Sequence, residues 1–315
     1  MRTAKKGEGS VYSKFFLLGI LLLILPVSIK IYTNSKIVLK DSSLDGSEAI
    51  EIEQNTIPAD VQQYVDQQRK VLGETTAGSP QGTSTGPSVR VPILMYHYVE
   101  YVKDAGDKIR ISLNTTPYTL EQEVSTLSHA GYTFMTSVEL TDVLDGKGKL
   151  PPKPIVLTFD DGYRDFYTDA YPILKKYHAK ATQYAIAGFL DRPNHLLTSQ
   201  LQEIANDGLV EIGAHTVHHV WLKGQSAVTV RSEVIQSKQM LENLVHKAVI
   251  SFAYPFGAFD VQAVATVEQA GFRSATSTIP GIDQPQTNRY FLYRLRPGGR
   301  TGKNLLAWLD TIKNN

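Results

Sequence analysis

Two adjacent carboxylates, Asp160 and Asp161, lie near the end of the stretch Pro154–Tyr163, P-I-V-L-T-F-D-D-G-Y. About 55 residues later, His215, His218 and His219 cluster in A-H-T-V-H-H. Two imidazoles and one carboxylate form a recurrent catalytic site for Zn²⁺ or a similar divalent ion, with one position left for water. His215 and His219 are spaced i, i+4, so one helical turn or a tight loop sets both on one face. His218 then points elsewhere, as an outer or surface residue. The zinc-protease helix H-E-x-x-H takes its base from the residue after the first His, but here that residue is Thr216. The base must come from another element, and the spare carboxylate of the Asp pair is available. A carboxylate that binds a dication stays ionised, while a hydrogen-bonded neighbour can take a proton from water. That is equipment for metal-assisted hydrolysis of an amide or an ester. Each half has a bland alternative: an Asp-Gly turn is common punctuation, and a lone i, i+4 His pair is more often a surface coincidence. Their co-occurrence favours chemistry.

The surrounding pattern can position such groups. Ile155–Leu157 is a continuous apolar run, as in a strand buried on both faces. Further strands are expected at Val91–Tyr96, Thr133–Met135, Ala181–Ile186, Val210–Gly213, Val249–Tyr254 and Phe272–Ala275. Between them, Thr119–Gly131, Phe166–Tyr177 (interrupted at Pro172), Thr198–Asn206, Val228–Val245 and Asp260–Ala270 read as helices, the third capped by Thr198 or Ser199. Strand–helix alternation over about 190 residues implies an α/β fold with a parallel sheet covered by helices, and the count suits a β/α barrel. In such a barrel all strand ends open onto one face. There the Asp pair, the His cluster, His97 after the first strand and Tyr254-Pro255-Phe256-Gly257 would meet.

Composition bounds the rest. The chain has 315 residues, 42% hydrophobic, with a formal net charge of +1 and no cysteine. Disulfides, thiol nucleophiles and Cys-based zinc sites are excluded, and no basic block in the body suggests nucleic acid. Phe15–Ile29 is an uncharged apolar run of about fifteen residues behind Arg2, Lys5, Lys6 and Lys14. It is short for a membrane span of ~20 residues, longer than the usual core of a signal peptide, and lacks an A-x-A-like cleavage site. An uncleaved signal anchor is expected, with a cleaved signal peptide as the alternative; either exports the remainder. Residues 1–36 then form a cytoplasmic tip and anchor. Residues 37–88 form a stalk, with an amphipathic stretch at Ala59–Leu72 and a Gly/Ser/Thr-rich linker, and residues 89–315 form a catalytic domain.

T-F-D-D-G (Thr158–Gly162), H-T-x-x-H (His215–His219) and Y-P-F-G (Tyr254–Gly257) resemble the first three motifs of the polysaccharide deacetylases, carbohydrate esterase family 4. The resemblance covers roughly residues 91–296 and implies an irregular (β/α) barrel that removes acetyl groups from N-acetylglucosamine polymers or from acetylated xylan. It implies that Asp160 is the general base, that Asp161, His215 and His219 hold the metal, and that the Phe256 N–H helps to hold the oxyanion. Zn²⁺ suits the donor set, and Co²⁺ or Ni²⁺ also bind such sites. Three departures stand out. Ala253 replaces the Arg that usually steadies the catalytic Asp, for which Arg294, or less favourably Arg296, could substitute. No His follows His246, so the usual C-terminal acid is missing. However, P-I-L-M-Y-H-Y (Pro92–Tyr98) resembles the first strand of circularly permuted members acting on poly-N-acetylglucosamine, making His97 the expected acid. Finally, no Asp-Trp pair supports that His: Trp308 lies elsewhere, and Trp221 is either a sugar platform or a packing residue.

The resulting expectation is a surface-anchored, metal-dependent enzyme that deacetylates an N-acetylglucosamine polysaccharide (exopolysaccharide or peptidoglycan). Its alternatives are an O-acetyl esterase on xylan or another glycan, and a non-catalytic glycan-binding module.

Overall fold

The computed structural model describes residues 88–314, together with Ala59 and Gln63. The expected membrane anchor, the stalk and the linker up to residue 87 lie outside the described residues, apart from those two positions. No helix among the described residues is long and apolar enough to cross a membrane.

In chain order the strands are β1 (Ser88–Arg90), β2 (Ile93–Tyr96), β3 (Thr133–Met135), β4 (Pro154–Phe159), β5 (Ala181–Ala185), β6 (Val210–Ala214), β7 (Ser251–Ala253), β8 (Ser274–Thr276) and β9 (Asp283–Pro285). The helices are α1 (Lys108–Leu113), α2 (Pro117–His129), α3 (Ser137–Leu144), α4 (Tyr171–Tyr177), α5 (Thr198–Asp207), α6 (Ala227–Val245), α7 (Val261–Gln269) and α8 (Gly302–Asn314). A parallel sheet runs β2-β4-β5-β6-β7-β8, with β3 beside the first half of β4. Residues 292–295 close the ring. Leu292 bridges Thr276 of β8, and Leu295 bridges Leu94 of β2, both in parallel. The small antiparallel pair β1–β9 stands apart from this ring.

Strand β4 sits centrally, and Ile155, Val156, Leu157 and Phe159 are fully buried. Its apolar run reflects contact with neighbours on both faces. Helix α2 turns Leu120, Val124 and Leu127 into the core. It begins before Thr119 because Thr116 caps it and Pro117 takes the first turn, where a missing N–H costs nothing. Pro172 likewise opens α4, which follows a separate π turn over Phe166–Ala170. Helix α5 departs from the expected capping. Its N-cap is Leu197, and the oxygens come from elsewhere: Asp191 accepts from the Thr198 N–H (2.9 Å) and hydroxyl (2.6 Å). A carboxylate of the preceding loop, together with Gln200 Oε1 accepting from the Leu197 N–H at 2.9 Å, thus takes the place of the expected Thr198 or Ser199 cap. Helices α1, α3 and α8 have no counterpart among the elements that the apolar pattern predicts.

Candidate active site

The C-terminal ends of β2, β4, β6 and β7 and the closing segment gather the candidate residues. Asp160 continues the β2–β4 ladder, its N–H donating to the Tyr96 carbonyl at 2.9 Å. At Asp161 the backbone turns left-handed (φ 73°), followed by Gly162 (φ 72°). This reversal sends two adjacent carboxylates to different partners, and both are almost completely buried.

Asp160 meets Arg294. Nη1 donates to Oδ1 at 2.7 Å and Nη2 to Oδ2 at 2.8 Å, a bidentate pair with no exposed guanidinium surface. The guanidinium is held from behind by the Ser277 carbonyl (2.7 Å) and the Thr158 hydroxyl (3.2 Å). Burial opposes ionisation of Asp160, but Arg294's charge and hydrogen bonds outweigh it and hold the carboxyl below its ordinary range. Ala253 contributes its backbone only, and Arg296 stands exposed. His97 Nε2 lies 4.0 Å from Asp160 Oδ2. Burial drives this imidazole down to about 4, against the opposite pull of Asp161 and Asp160.

Asp161 meets the histidines. Its Oδ1 is 3.3 Å from His215 Nε2 and 3.1 Å from His219 Nε2, yet has no hydrogen-bond partner. The expected one-face placement is achieved by a tight loop leaving β6, with no helical turn. His215 Nδ1 lies 2.7 Å from the Ala253 carbonyl; a carbonyl can only accept, so Nδ1 carries a proton and Nε2 is the nitrogen turned to Asp161. Ligand atoms of the three residues all lie within 4.8 Å of one another. Two ligands ~2.0 Å from one tetrahedral ion stand about 3.3 Å apart, close to the separations from Asp161. An orphaned buried oxygen facing two imidazole nitrogens fits a divalent cation, and the N₂O donor set suits Zn²⁺.

His218 is turned out of this cluster, its side chain 57% exposed. Phe256, also left-handed (φ 58°), stacks against His219 (centroids 4.4 Å apart), and Trp221 stacks on Phe256 (5.4 Å). Both rings are about half exposed, so Trp221 packs on Phe256 with one side and leaves the other open to solvent. Trp308 packs on the core in α8 instead. On another side, Tyr98 and Tyr163 stack at 3.8 Å; burial, then the negative charge of Asp161, pushes the Tyr163 hydroxyl's pKa up. These tyrosines directly follow His97 and Gly162, the one signal that could have singled them out. Glu233, which binds the loop between His215 and His219, carries no local signal at all.

The family model for polysaccharide deacetylase matches residues 147–275. YxkH of Bacillus subtilis (strain 168), a protein named for the same family, is 31% identical over 230 residues, covering 73% of this chain and 79% of that one. A poly-β-1,6-N-acetyl-D-glucosamine N-deacetylase of Staphylococcus aureus (strain MSSA476) is 28% identical over 162 residues, covering 47% of this chain and 56% of its own length. Among solved structures, the Streptococcus pyogenes deacetylase PplD in complex with acetate superposes with a TM-score of 0.65 at 28% identity, covering 72% of this chain and 99% of that one. With its barrel of parallel strands and its converging aspartates and histidines, the chain belongs to the polysaccharide deacetylases, carbohydrate esterase family 4.

Proposed function

We propose that the protein removes acetyl groups from N-acetylglucosamine residues of a cell-surface polysaccharide, with Asp161, His215 and His219 holding a divalent cation, most suitably Zn²⁺. When bound, the cation supplies a Lewis acid that acidifies water and polarises the acetyl carbonyl. Asp160, kept ionised by Arg294, takes the proton from water. His97, 4.0 Å away, is placed to receive that proton from Asp160 and deliver it to the departing amine. The Phe256 N–H is the donor for the carbonyl oxygen as charge develops there. The half-exposed Trp221–Phe256 stack beside His219 offers an apolar face to a sugar ring. The observation that carries this reading is the division of labour between two adjacent carboxylates, one on Arg294 and one on two imidazoles.

Domain boundaries at residues 36 and 88, with Phe15–Ile29 as an uncleaved single-pass anchor and the enzyme outside the cell membrane, complete the proposal. The acid position favours an amide over an ester substrate, because an amine needs protonation to leave while an alkoxide depends on it less. Acetate release should be assayed on chitooligosaccharides, peptidoglycan, poly-N-acetylglucosamine and acetylated xylan, before and after chelation. Release from a glucosamine polymer that stops on chelation and returns with Zn²⁺ is expected. Release from xylan alone would replace the proposal with an O-acetyl esterase, and turnover that is indifferent to chelation would remove the metal.

A further inference from the structure

The loop that joins His215 to His219 is held in an unfavourable conformation. Thr216 (φ 65°) and His219 (φ 55°) both adopt the left-handed region, which L-residues other than glycine, asparagine and aspartate seldom enter. Such residues persist only where their surroundings over-determine them. Here two sets of contacts do so. From β5's side, the Ala187 and Gly188 N–H groups each donate at 3.0 Å to the Thr216 and Val217 carbonyls. The approach is so close that a Cβ on Gly188 would lie 2.6 Å from the Val217 oxygen. From α6, the buried carboxylate of Glu233 takes the opposite ends of the same peptides. Its Oε2 accepts from the Val217 N–H (3.0 Å) and the His218 N–H (2.9 Å), while Oε1 lies 2.7 Å from His218 Nδ1. The Thr216 hydroxyl accepts the remaining N–H, that of His219, at 2.9 Å.

We infer that Glu233 is the positioning residue of the metal centre: it fixes the loop so that the His215 and His219 Nε2 atoms converge on Asp161 before any cation arrives. The inference rests on the metal reading above. Both N–H groups share one carboxylate oxygen, and no other side chain among the described residues accepts from them. Without it, the two left-handed residues can relax toward ordinary backbone, and the cation has to reorganise the loop on binding.

The test measures Zn²⁺ affinity of the full chain by competition with a chromophoric chelator, alongside melting of the metal-free protein. Glu233→Ala should raise the dissociation constant about 10- to 100-fold. Glu233→Gln, whose amide oxygen still accepts both N–H groups, should restore it to within about threefold. Should Glu233→Ala not fold, Glu233→Asp, one methylene short of both donors, should show the weakened binding. A folded Glu233→Ala or Glu233→Asp protein that binds Zn²⁺ as the unaltered chain does, with only its metal-free melting temperature lowered, overturns the inference and leaves the metal reading intact. An unaltered chain that binds no Zn²⁺ overturns the metal reading itself.

Discussion

The guanidinium of Arg294 and the carboxylate of Asp160, 134 positions apart, form two parallel hydrogen bonds of 2.7 and 2.8 Å in a site closed to solvent. Removing either partner strands the other's charge. Arg294→Ala should destabilise the protein by about 3–5 kcal/mol. In the surviving folded fraction it should also move the acidic limb of kcat/KM upward, because burial then raises Asp160 with its strongest opponent gone. Arg294→Lys keeps a charge but loses the fork, so its limb should fall between the two. An acidic limb that stays in place in Arg294→Ala would show that Asp160 is not the titrating base.

His97 is separable from the metal by choice of leaving group. His97→Ala should lower amide hydrolysis by about 10²–10⁴-fold and hydrolysis of an acetyl ester of the same sugar by much less. Equal losses on both substrates would assign His97 a positioning role instead of proton delivery.

Exposed stacking at Trp221 predicts a binding effect. Trp221→Ala should raise KM about two- to tenfold, the equivalent of an aromatic contact of roughly 0.5–1.5 kcal/mol, with kcat unchanged. The check is steady-state kinetics on oligomers of increasing length. A drop in kcat at constant KM would place Trp221 at the reacting centre.

A buried acid remote from the chemistry sets a pH dependence of stability. Glu123 is fully buried on α2, its Oε2 accepting from the Tyr96 hydroxyl at 2.8 Å and its Oε1 without a partner. Burial raises its pKa from 4.5 to about 8. Between those values the folded chain keeps a proton that the unfolded chain releases, so stability falls as pH rises, by up to about 1.4 kcal/mol per pH unit. Glu123→Gln removes the dependence. Its melting temperature should exceed that of the unaltered chain at pH 8 and converge with it near pH 4.5. Parallel profiles would contradict this.

Residue order alone reveals what a short segment declares about itself. The apolar run Ile155–Leu157 ending in two acids announces both the central strand and the chemistry, because burial and function occupy consecutive residues there. The spacing of His215 and His219 announces a shared face but not its geometry, which depends on left-handed backbone that the side chains do not encode. Helix α5 keeps its expected location but not its cap, because Asp191 supplies the oxygen from a loop. Glu233 is invisible in the sequence for a related reason: its partners are peptide N–H groups 15 and 16 positions away, and such groups leave no mark in a sequence. Arg294 can be nominated from the resemblance, as a substitute for the Arg that Ala253 replaces, but not placed, since its position follows from ring closure.

That closure has a consequence for the order of events in synthesis. The segment 292–295 lies between β8 and β2, so Arg294, unlike His97, which the β2–β4 ladder already sets near Asp160, becomes its neighbour only when the ring shuts. A nascent chain already holding Asp161, His215 and His219 still lacks the countercharge for Asp160 until residue 294 has left the ribosome. The ion pair that keeps Asp160 charged is therefore assembled last, after nearly all of the barrel has been made.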